Sequence, residues 1–152
     1  MNILEPEDQF IINCLRSEYV KETKFDSLSL PDIDWAIVYK KSSQMGAAPF
    51  LHKIIKKRLT GPQLSHIPED FLQKIKNAYL KTFIVNEKNF DKLTGTIDLL
   101  SSAGIKVILL KGSHLAQFVY EDAGLRQMCD LDIMIKEEDL KKAEKQLLKA
   151  KS

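Results

Sequence analysis

The amino-acid sequence predicts a mixed α+β fold in which an N-terminal helical bundle is followed by a small mixed sheet. Two patterns support this prediction. Apolar residues recur at helical spacing through most of residues 1–103, whereas residues 105–110 and 131–135 are short and almost continuously apolar, as buried strands are. We therefore predict a helical region over residues 1–103 and an α/β region over residues 104–152.

Prolines, acidic residues and glycines mark the ends of the helices predicted in the first region. Pro6 suits the first turn of a helix, and Asp32 and Asp34 complement the dipole at the start of the next one. Gly46 ends that second helix, and Gly61 followed by proline breaks the chain after the third. The helices are expected over residues 5–20, from Pro31 to Gly46, over residues 47–58, and from Pro68 almost to Ala103.

The fourth predicted helix is the longest and carries a stripe of apolar residues. Because its aromatic residues share this stripe, we expect them to pack in the core and not to form a stacking surface. Gly104 ends the helix. The aromatic residues concerned are Phe71, Tyr79, Phe83 and Phe90.

The predicted α/β region starts with a strand over residues 105–110 that is covered on both faces. A short helix over residues 113–120, a turn over residues 122–124 and a second strand over residues 131–135 follow. The last predicted element is a charged helix over residues 137–149. Its expected inward residues are Leu140, Ala143, Leu147 and Leu148.

Composition and charge exclude several classes of protein. The net charge of +2 is too small to indicate a nucleic-acid partner. Cys14 and Cys129 lie far apart, without the spacing of metal ligands, which favours a reduced intracellular setting. The N-terminus is acidic where a signal peptide would be basic, and no apolar run is long enough to span a membrane. We therefore expect a cytoplasmic protein without a membrane partner.

Lys111, Gly112 and Ser113 lie where the first predicted strand passes into a helix. Glycine allows the backbone to approach a ligand closely, Ser113 can cap the helix, and the N–H groups of a helix start attract anions. Lys111 adds a positive charge. The turn therefore suits a phosphate group, although a plain strand-to-helix turn with a serine cap explains the same residues. It is not a Walker A loop, because the required glycine spacing is absent.

Asp130 and Asp132 lie at the beginning of the second predicted strand, with Asp130 directly before its first residue. Residues i and i+2 of a strand share a face and lie roughly 6.5–7 Å apart, so the two carboxylates repel each other unless a cation lies between them. Mg²⁺ suits such a pair, because it accepts carboxylate oxygens and keeps positions open for substrate phosphates. Ordinary polarity of a solvent-facing strand is the alternative. Asp32 and Asp34 have the same spacing, but at a helix start their side chains diverge.

Arg126 precedes the acid pair by four residues. A guanidinium at this place could bind a phosphate with two parallel hydrogen bonds. A salt bridge to Glu121 or Asp122 is the alternative, and such a bridge contributes little when it is exposed.

Taken together, these motifs resemble those of uncharacterised nucleotidyltransferases in the polymerase-β-type superfamily. The resemblance covers about 30 residues and rests on Lys111-Gly112, Tyr120, Arg126 and Asp130-Leu131-Asp132. It implies a partial nucleotidyltransferase core over residues 104–152, with Asp130 and Asp132 as catalytic ligands of one or two Mg²⁺ ions. It further implies that Gly112 and Ser113 hold a nucleoside triphosphate (NTP), and that Lys111 and Arg126 contact its phosphates.

The reaction implied by the resemblance is transfer of a nucleoside monophosphate to an acceptor hydroxyl, with pyrophosphate leaving. Families of this type use a third carboxylate on a later strand, and here the sequence ends soon after the last predicted helix. We therefore expect a piece of a longer enzyme or a degenerate relative, with weak or no transfer activity. The alternative is a catalytically silent interaction or regulatory module. Because a short sheet leaves its edge exposed, self-association through that edge is also expected.

Overall fold

The computed structural model describes residues 4–18, 20 and 30–150, and the chain forms two compact units, Met1–Lys81 and Thr82–Ser152. The helices of the first unit are α1 (Pro6–Ser17), α2 (Trp35–Gln44), α3 (Ala48–Arg58), α4 (Gly61–Leu64) and the first part of α5 (Glu69–Ser102). The second unit contains the rest of α5, β1 (Ile108–Leu109), α6 (Lys111–Phe118), β2 (Ile133–Met134) and α7 (Leu140–Lys149). Short 3₁₀ turns, Leu30–Asp32 and Glu137–Asp139, precede α2 and α7.

The core of the first unit joins α1, α2, α3 and the start of α5. At its centre the ring of Trp35 meets Phe10 edge-on, with centroids 5.2 Å apart, and lies 4.9 Å from the ring of Phe71. Such aromatic contacts stabilise a core beyond the area that they bury. The other buried apolar side chains follow the helical stripes that the sequence predicts; examples are Ile11, Cys14, Val38, Leu51, Ile54, Ile55 and Ile75.

Asp34 is the N-cap residue of α2, which agrees with the predicted place of its acidic side chain at a helix start. Its Oδ1 accepts hydrogen bonds from the backbone N–H groups of Ala36 and Ile37, at 2.9 and 3.2 Å, so it satisfies donors that have no partner inside the helix. The backbone N–H of Asp34 itself donates to Oε1 of Glu7, 3.0 Å away. This helix therefore starts at Trp35 after a 3₁₀ turn, later than the prediction of a start near Pro31.

The long helix α5 confirms the predicted continuous helix, but one aromatic residue lies elsewhere than predicted. Phe71 is 2% exposed, whereas Phe83 is 39% exposed, so the expectation that Phe83 packs in the core is wrong. The polar residues Thr82 and Asn86 are buried on this helix. The physical reason is rotation, because Phe83 lies 100° around the axis from Thr82 and so points away from the buried line.

One apolar cluster of the second unit joins the end of α5, the strands and α7. Leu100, Ile105 and Ala143 are its buried members, and the partly buried Val107, Ile133, Ile135 and Leu147 pack against them. Ala143 and Leu147 thus lie on the inner face of α7, as predicted. Leu140 and Leu148 are exposed, which contradicts their predicted inward position. The buried face of α7 is therefore narrower than the set of four apolar residues predicted to form it.

The sheet consists of two short antiparallel strands, with Ile108 opposite Met134 and Leu109 opposite Ile133. The mixed α+β class is confirmed at this level, but the sheet is antiparallel and not mixed, and each strand is shorter than predicted. Ile108 and Met134 are both exposed, so β1 is not covered on both faces. A nucleotidyltransferase core over residues 104–152 and association through the sheet edge stay predictions.

Within the described residues, no helix combines the length and the apolar character that crossing a membrane requires.

The two cysteines differ sharply in accessibility, which leads to a first prediction. Cys14 is buried, and burial raises the pKa of its thiol, whereas Cys129 is exposed. Because the thiolate is the reactive form, we expect a thiol reagent to modify Cys129 rapidly and Cys14 only after unfolding. Thiol titration in buffer and in denaturant measures this, with Cys129→Ser as the control. Fast modification in the native Cys129→Ser variant would contradict the burial of Cys14.

Candidate functional site

The antiparallel pairing extends beyond the strands and brings the Lys-Gly-Ser turn beside the acid pair. The backbone N–H of Leu110 donates to the carbonyl oxygen of Asp132 at 3.0 Å, one step further along the register that pairs Leu109 with Ile133. The turn that starts at Lys111 therefore lies next to the segment that carries Asp130 and Asp132. Asp130 and Asp132 themselves precede β2 (Ile133–Met134), so their predicted place on that strand is wrong, and binding roles for these residues stay predictions.

A lysine ammonium occupies the position next to the acid pair. Nζ of Lys111 lies 3.0 Å from Oδ2 of Asp132. This hydrogen bond, the charge of Asp132 and, to a smaller extent, the charge of Asp130 raise the pKa of Lys111 above its ordinary value. The negative charges of both carboxylates therefore act on the Lys111 ammonium, and a cation is favoured at this position. The Lys111 side chain is 72% exposed, so it is held loosely.

The turn itself differs from the prediction in two respects. The helix α6 starts at Lys111 with Leu110 as its N-cap residue, so Ser113 occupies the third helical position and is not the cap. The unusual backbone dihedral belongs to Lys111, with φ of +48°, and not to Gly112. Left-handed dihedrals in non-glycine residues are uncommon and recur at functional sites. The side chain of Ser113 lies outside the part of the chain that the structure describes.

Gly112 faces the loop that leads to the acid pair. A Cβ atom added at this position would lie 3.7 Å from Cγ of Met128, which is an ordinary contact distance. Met128 is buried. The turn and the loop are therefore neighbours, and the space between them would accept a small side chain at position 112.

The loop after α6 contains the predicted turn and Arg126. Oδ1 of Asp122 accepts a hydrogen bond from the N–H of Gly124 at 2.9 Å, which confirms turn geometry over residues 122–124. Nε of Arg126 is shielded from solvent and has no hydrogen-bond partner among the described residues. A buried donor without a partner is unfavourable in the unliganded protein, so an acceptor supplied by a ligand would be favoured there.

Asn86 and Asn89 of α5 hold this loop, and the sequence analysis missed both. Nδ2 of Asn86 donates to the carbonyl oxygens of Ala123 and Arg126, at 2.6 and 2.5 Å, and its Oδ1 accepts from the N–H of Met128 at 3.1 Å. Nδ2 of Asn89 donates to the Met128 carbonyl at 3.2 Å. One signal was available: Asn86 is a polar residue on the buried line of a helix, where an amide needs partners.

The predicted metal ligands are two carboxylates, those of Asp130 and Asp132. Across the described residues, no group of three or more histidine, cysteine, aspartate or glutamate side chains is arranged to hold a metal ion. Asp130 is exposed and Asp132 is half-buried, so both remain accessible to a ligand from solvent. A hard divalent cation that completes its coordination with water and phosphate oxygens suits such a pair.

Comparison with known proteins places the chain in a family. No curated protein and no solved structure matches it significantly. The family model described as uncharacterised nucleotidyltransferase matches residues 31–151 and thus includes the Lys-Gly-Ser turn, the loop with Arg126 and the acid pair. The match spans most of both compact units. The chain therefore belongs to the family of uncharacterised nucleotidyltransferases.

Proposed function

We propose that this nucleotidyltransferase-type domain binds a magnesium-bound NTP where the Lys-Gly-Ser turn lies beside the acid pair. Asp130 and Asp132 would hold the metal. The proposal rests mainly on one observation, the ammonium of Lys111 placed 3.0 Å from Asp132 under the charge of both carboxylates. A site where a cation contacts Asp132 and also feels the charge of Asp130 offers the carboxylate oxygens that Mg²⁺ favours.

The remaining predicted residues suit the phosphates. Gly112 and Ser113 belong to the first turn of α6, where backbone N–H groups favour anions. Lys111 is exposed enough to exchange Asp132 for a phosphate oxygen, and Arg126 carries a buried donor for which the described residues supply no acceptor. When bound, Mg²⁺ supplies neutralisation of the phosphate charge. These residues would therefore orient the triphosphate and compensate its charge.

The proposed reaction transfers a nucleoside monophosphate to an acceptor hydroxyl. The acceptor oxygen forms a bond to the α-phosphorus, the bond from that phosphorus to the bridging oxygen of the β-phosphate breaks, and pyrophosphate leaves. The proton of the hydroxyl passes to solvent in the same exchange. No described residue identifies the acceptor, so the proposal extends to the class of reaction only.

A second candidate function is an interaction or regulatory module that binds the nucleotide without transferring it. The observation that favours it is the number of carboxylates, because the described residues place two at the site and no third. Metal-dependent phosphoryl transfer commonly uses carboxylate sets that hold both ions of a two-metal site. A domain with only two could retain nucleotide affinity and lack the chemical step.

Calorimetric titration tests the nucleotide-binding proposal directly. The chain is titrated with ATP and with GTP, each with excess Mg²⁺ and again with a chelator. We expect heat of binding only when the metal is present, because the acid pair repels an uncompensated triphosphate. Equal binding with and without the metal, or no binding under either condition, would contradict the proposed site.

A transfer assay separates the two candidate functions. The chain is incubated with Mg²⁺ and each NTP, with small hydroxyl compounds, protein and RNA as acceptors, and pyrophosphate release is measured. Release above the rate without protein supports transfer. Binding in the calorimeter without release in any acceptor mixture supports the silent module.

Lys111 provides a further prediction in which metal and nucleotide affinities move in opposite directions. Lys111→Met removes the ammonium that competes for Asp132, so we expect several-fold tighter binding of Mn²⁺ in the absence of nucleotide. The same change removes a phosphate contact, so Mg²⁺-ATP should bind more weakly. Mn²⁺ electron paramagnetic resonance and calorimetry measure the two affinities, with the exposed Lys106→Met as the control. Unchanged Mn²⁺ affinity would show that Lys111 does not compete with the metal.

A further inference from the structure

Asn86 lies inside the second unit, where its side chain amide is fully buried. Asparagine is unfavourable in a helix interior and is unfavourable in a core unless its donors and acceptor are satisfied. Here both requirements are met by backbone groups of one loop. The amide nitrogen reaches two carbonyls and the amide oxygen reaches one N–H, all between Ala123 and Met128.

Asn89 adds a hydrogen bond to the same loop from nearly one helical turn further along α5. Asn86 binds the N–H of Met128 and Asn89 binds its carbonyl, so both backbone groups of this residue are fixed. The Met128 side chain lies beside Gly112, because a Cβ atom added there would be 3.7 Å from Cγ of Met128. The residue that both asparagines hold is therefore a neighbour of the turn proposed to hold phosphate.

The loop held in this way carries the proposed ligands. Arg126 is itself one of the residues whose carbonyl binds Asn86, and Asp130 follows Met128 by two residues. Because the hydrogen bonds fix backbone atoms of Arg126 and Met128, they restrict the course of the chain that carries Arg126 and leads to Asp130. The loop has little regular structure to fix its course otherwise, since it contains neither a helix nor a strand between α6 and β2.

We propose that Asn86 and Asn89 are positioning residues that set the distance between the Lys-Gly-Ser turn and the acid pair, and thereby the affinity for a magnesium-bound NTP. This inference rests on the proposed function. Neither side chain is placed among the proposed ligands. Their role is to hold the backbone of Met128 and Arg126, so that the turn and the carboxylates face the same triphosphate. Because the loop is ordered before the ligand binds, binding costs less conformational entropy.

The test compares two variants with two controls. Asn86→Leu keeps the branched outline of the side chain but removes all three hydrogen bonds, and Asn89→Ala removes one. We expect the Kd for Mg²⁺-ATP to rise about tenfold or more in Asn86→Leu, as for residues that orient metal ligands indirectly, and less in Asn89→Ala. Hydrogen exchange at the Met128 amide should accelerate in Asn86→Leu, because that amide loses its acceptor.

Asn77→Ala and Ile105→Val are the controls. Asn77 is an exposed asparagine of the same helix and bonds only within it, to Gln73. Ile105 is a core residue of the second unit, so its substitution lowers stability without removing a loop hydrogen bond. Both controls should keep the Kd of the unsubstituted chain. Equal weakening in Ile105→Val would show that general destabilisation explains the loss.

The outcomes separate this inference from the proposed function. If the unsubstituted chain does not bind Mg²⁺-ATP, the proposed function is wrong and the positioning role falls with it. If the unsubstituted chain and Asn86→Leu bind equally while Met128 exchange accelerates, the positioning role alone is overturned. Should Asn86→Leu fail to fold, as judged by circular dichroism, Asn89→Ala gives the decision, and an unchanged Kd in that variant rejects the proposal.

Discussion

Replacing both Asp130 and Asp132 by asparagine is expected to abolish binding of Mg²⁺-ATP while the chain stays folded. Asparagine has nearly the size of aspartate but carries no charge, and a hard divalent cation depends on carboxylate charge. Substitutions that only reorient metal ligands weaken metal binding about 10- to 100-fold, so loss of two ligands should exceed that range. Calorimetry with Mg²⁺-ATP measures the effect.

The same variant should change Lys111 as well. Because both carboxylates raise the pKa of Lys111, their neutralisation should lower that pKa towards its ordinary value. In the unsubstituted chain the ion pair persists below the ordinary lysine pKa and is lost as pH rises through the raised one. The pair should therefore not change between pH 6 and about 9, and nucleotide affinity should not depend on Lys111 titration there.

A matched control uses acids outside the site. Asp91 and Asp98 are exposed residues of α5 in the same unit, so Asp91→Asn with Asp98→Asn produces the same change in charge. This control should bind Mg²⁺-ATP like the unsubstituted chain, and circular dichroism should show both double variants folded. If the two double variants lose affinity equally, net charge and not the acid pair governs binding.

Truncating Phe71 to alanine should cost about 3–5 kcal/mol of the free energy of unfolding of the first unit, the range for removal of a buried aromatic side chain. Phe71 is 2% exposed and its ring lies 4.9 Å from that of Trp35, so the variant leaves a cavity in the centre of the core. Domains are stable by only about 5–15 kcal/mol, which makes this loss large. Urea unfolding followed by Trp35 fluorescence measures it, since the chain has one tryptophan.

Phe83→Ala is the matched control on the same helix. Phe83 is 39% exposed, so less apolar area returns to water and no closed cavity forms. We expect a change below about 1 kcal/mol, as for most substitutions away from a core. A cost for Phe83→Ala as large as that for Phe71→Ala would show that Phe83 is buried in solution, as the sequence pattern predicts.

The aromatic stripe of α5 shows how far local pattern predicts structure. Helical spacing correctly identifies a helix of about the observed length and the burial of Phe71. It misplaces Phe83, because an apolar residue adjacent to the buried line satisfies nearly the same periodicity as one on it. It also passes over Asn86, since hydropathy assigns a polar residue to solvent and contains no information on a loop that lies about 40 positions away.

The candidate site likewise has features that the sequence predicts and features that it does not. The order of turn, arginine and acids is local, so the family is predictable from the sequence, and the family match confirms it. The left-handed dihedral at Lys111 was not predictable, because the adjacent glycine is the more permissive residue. The start of α6 was not predictable either, because it depends on where the pairing with the segment before β2 ends.

The sequence alone determined which long segments are helical, the bounds of α3 and α5 to within a residue or so, and which family the chain belongs to. These properties depend on neighbours within a few residues, whose periodicity and capping act locally. Only the tertiary structure decided that Lys111 pairs with Asp132, that the Met128 backbone is held from α5 and that Asn86 binds the loop. Those contacts join residues far apart in the chain, and their partners are selected by the folded geometry and by the need to satisfy buried polar groups.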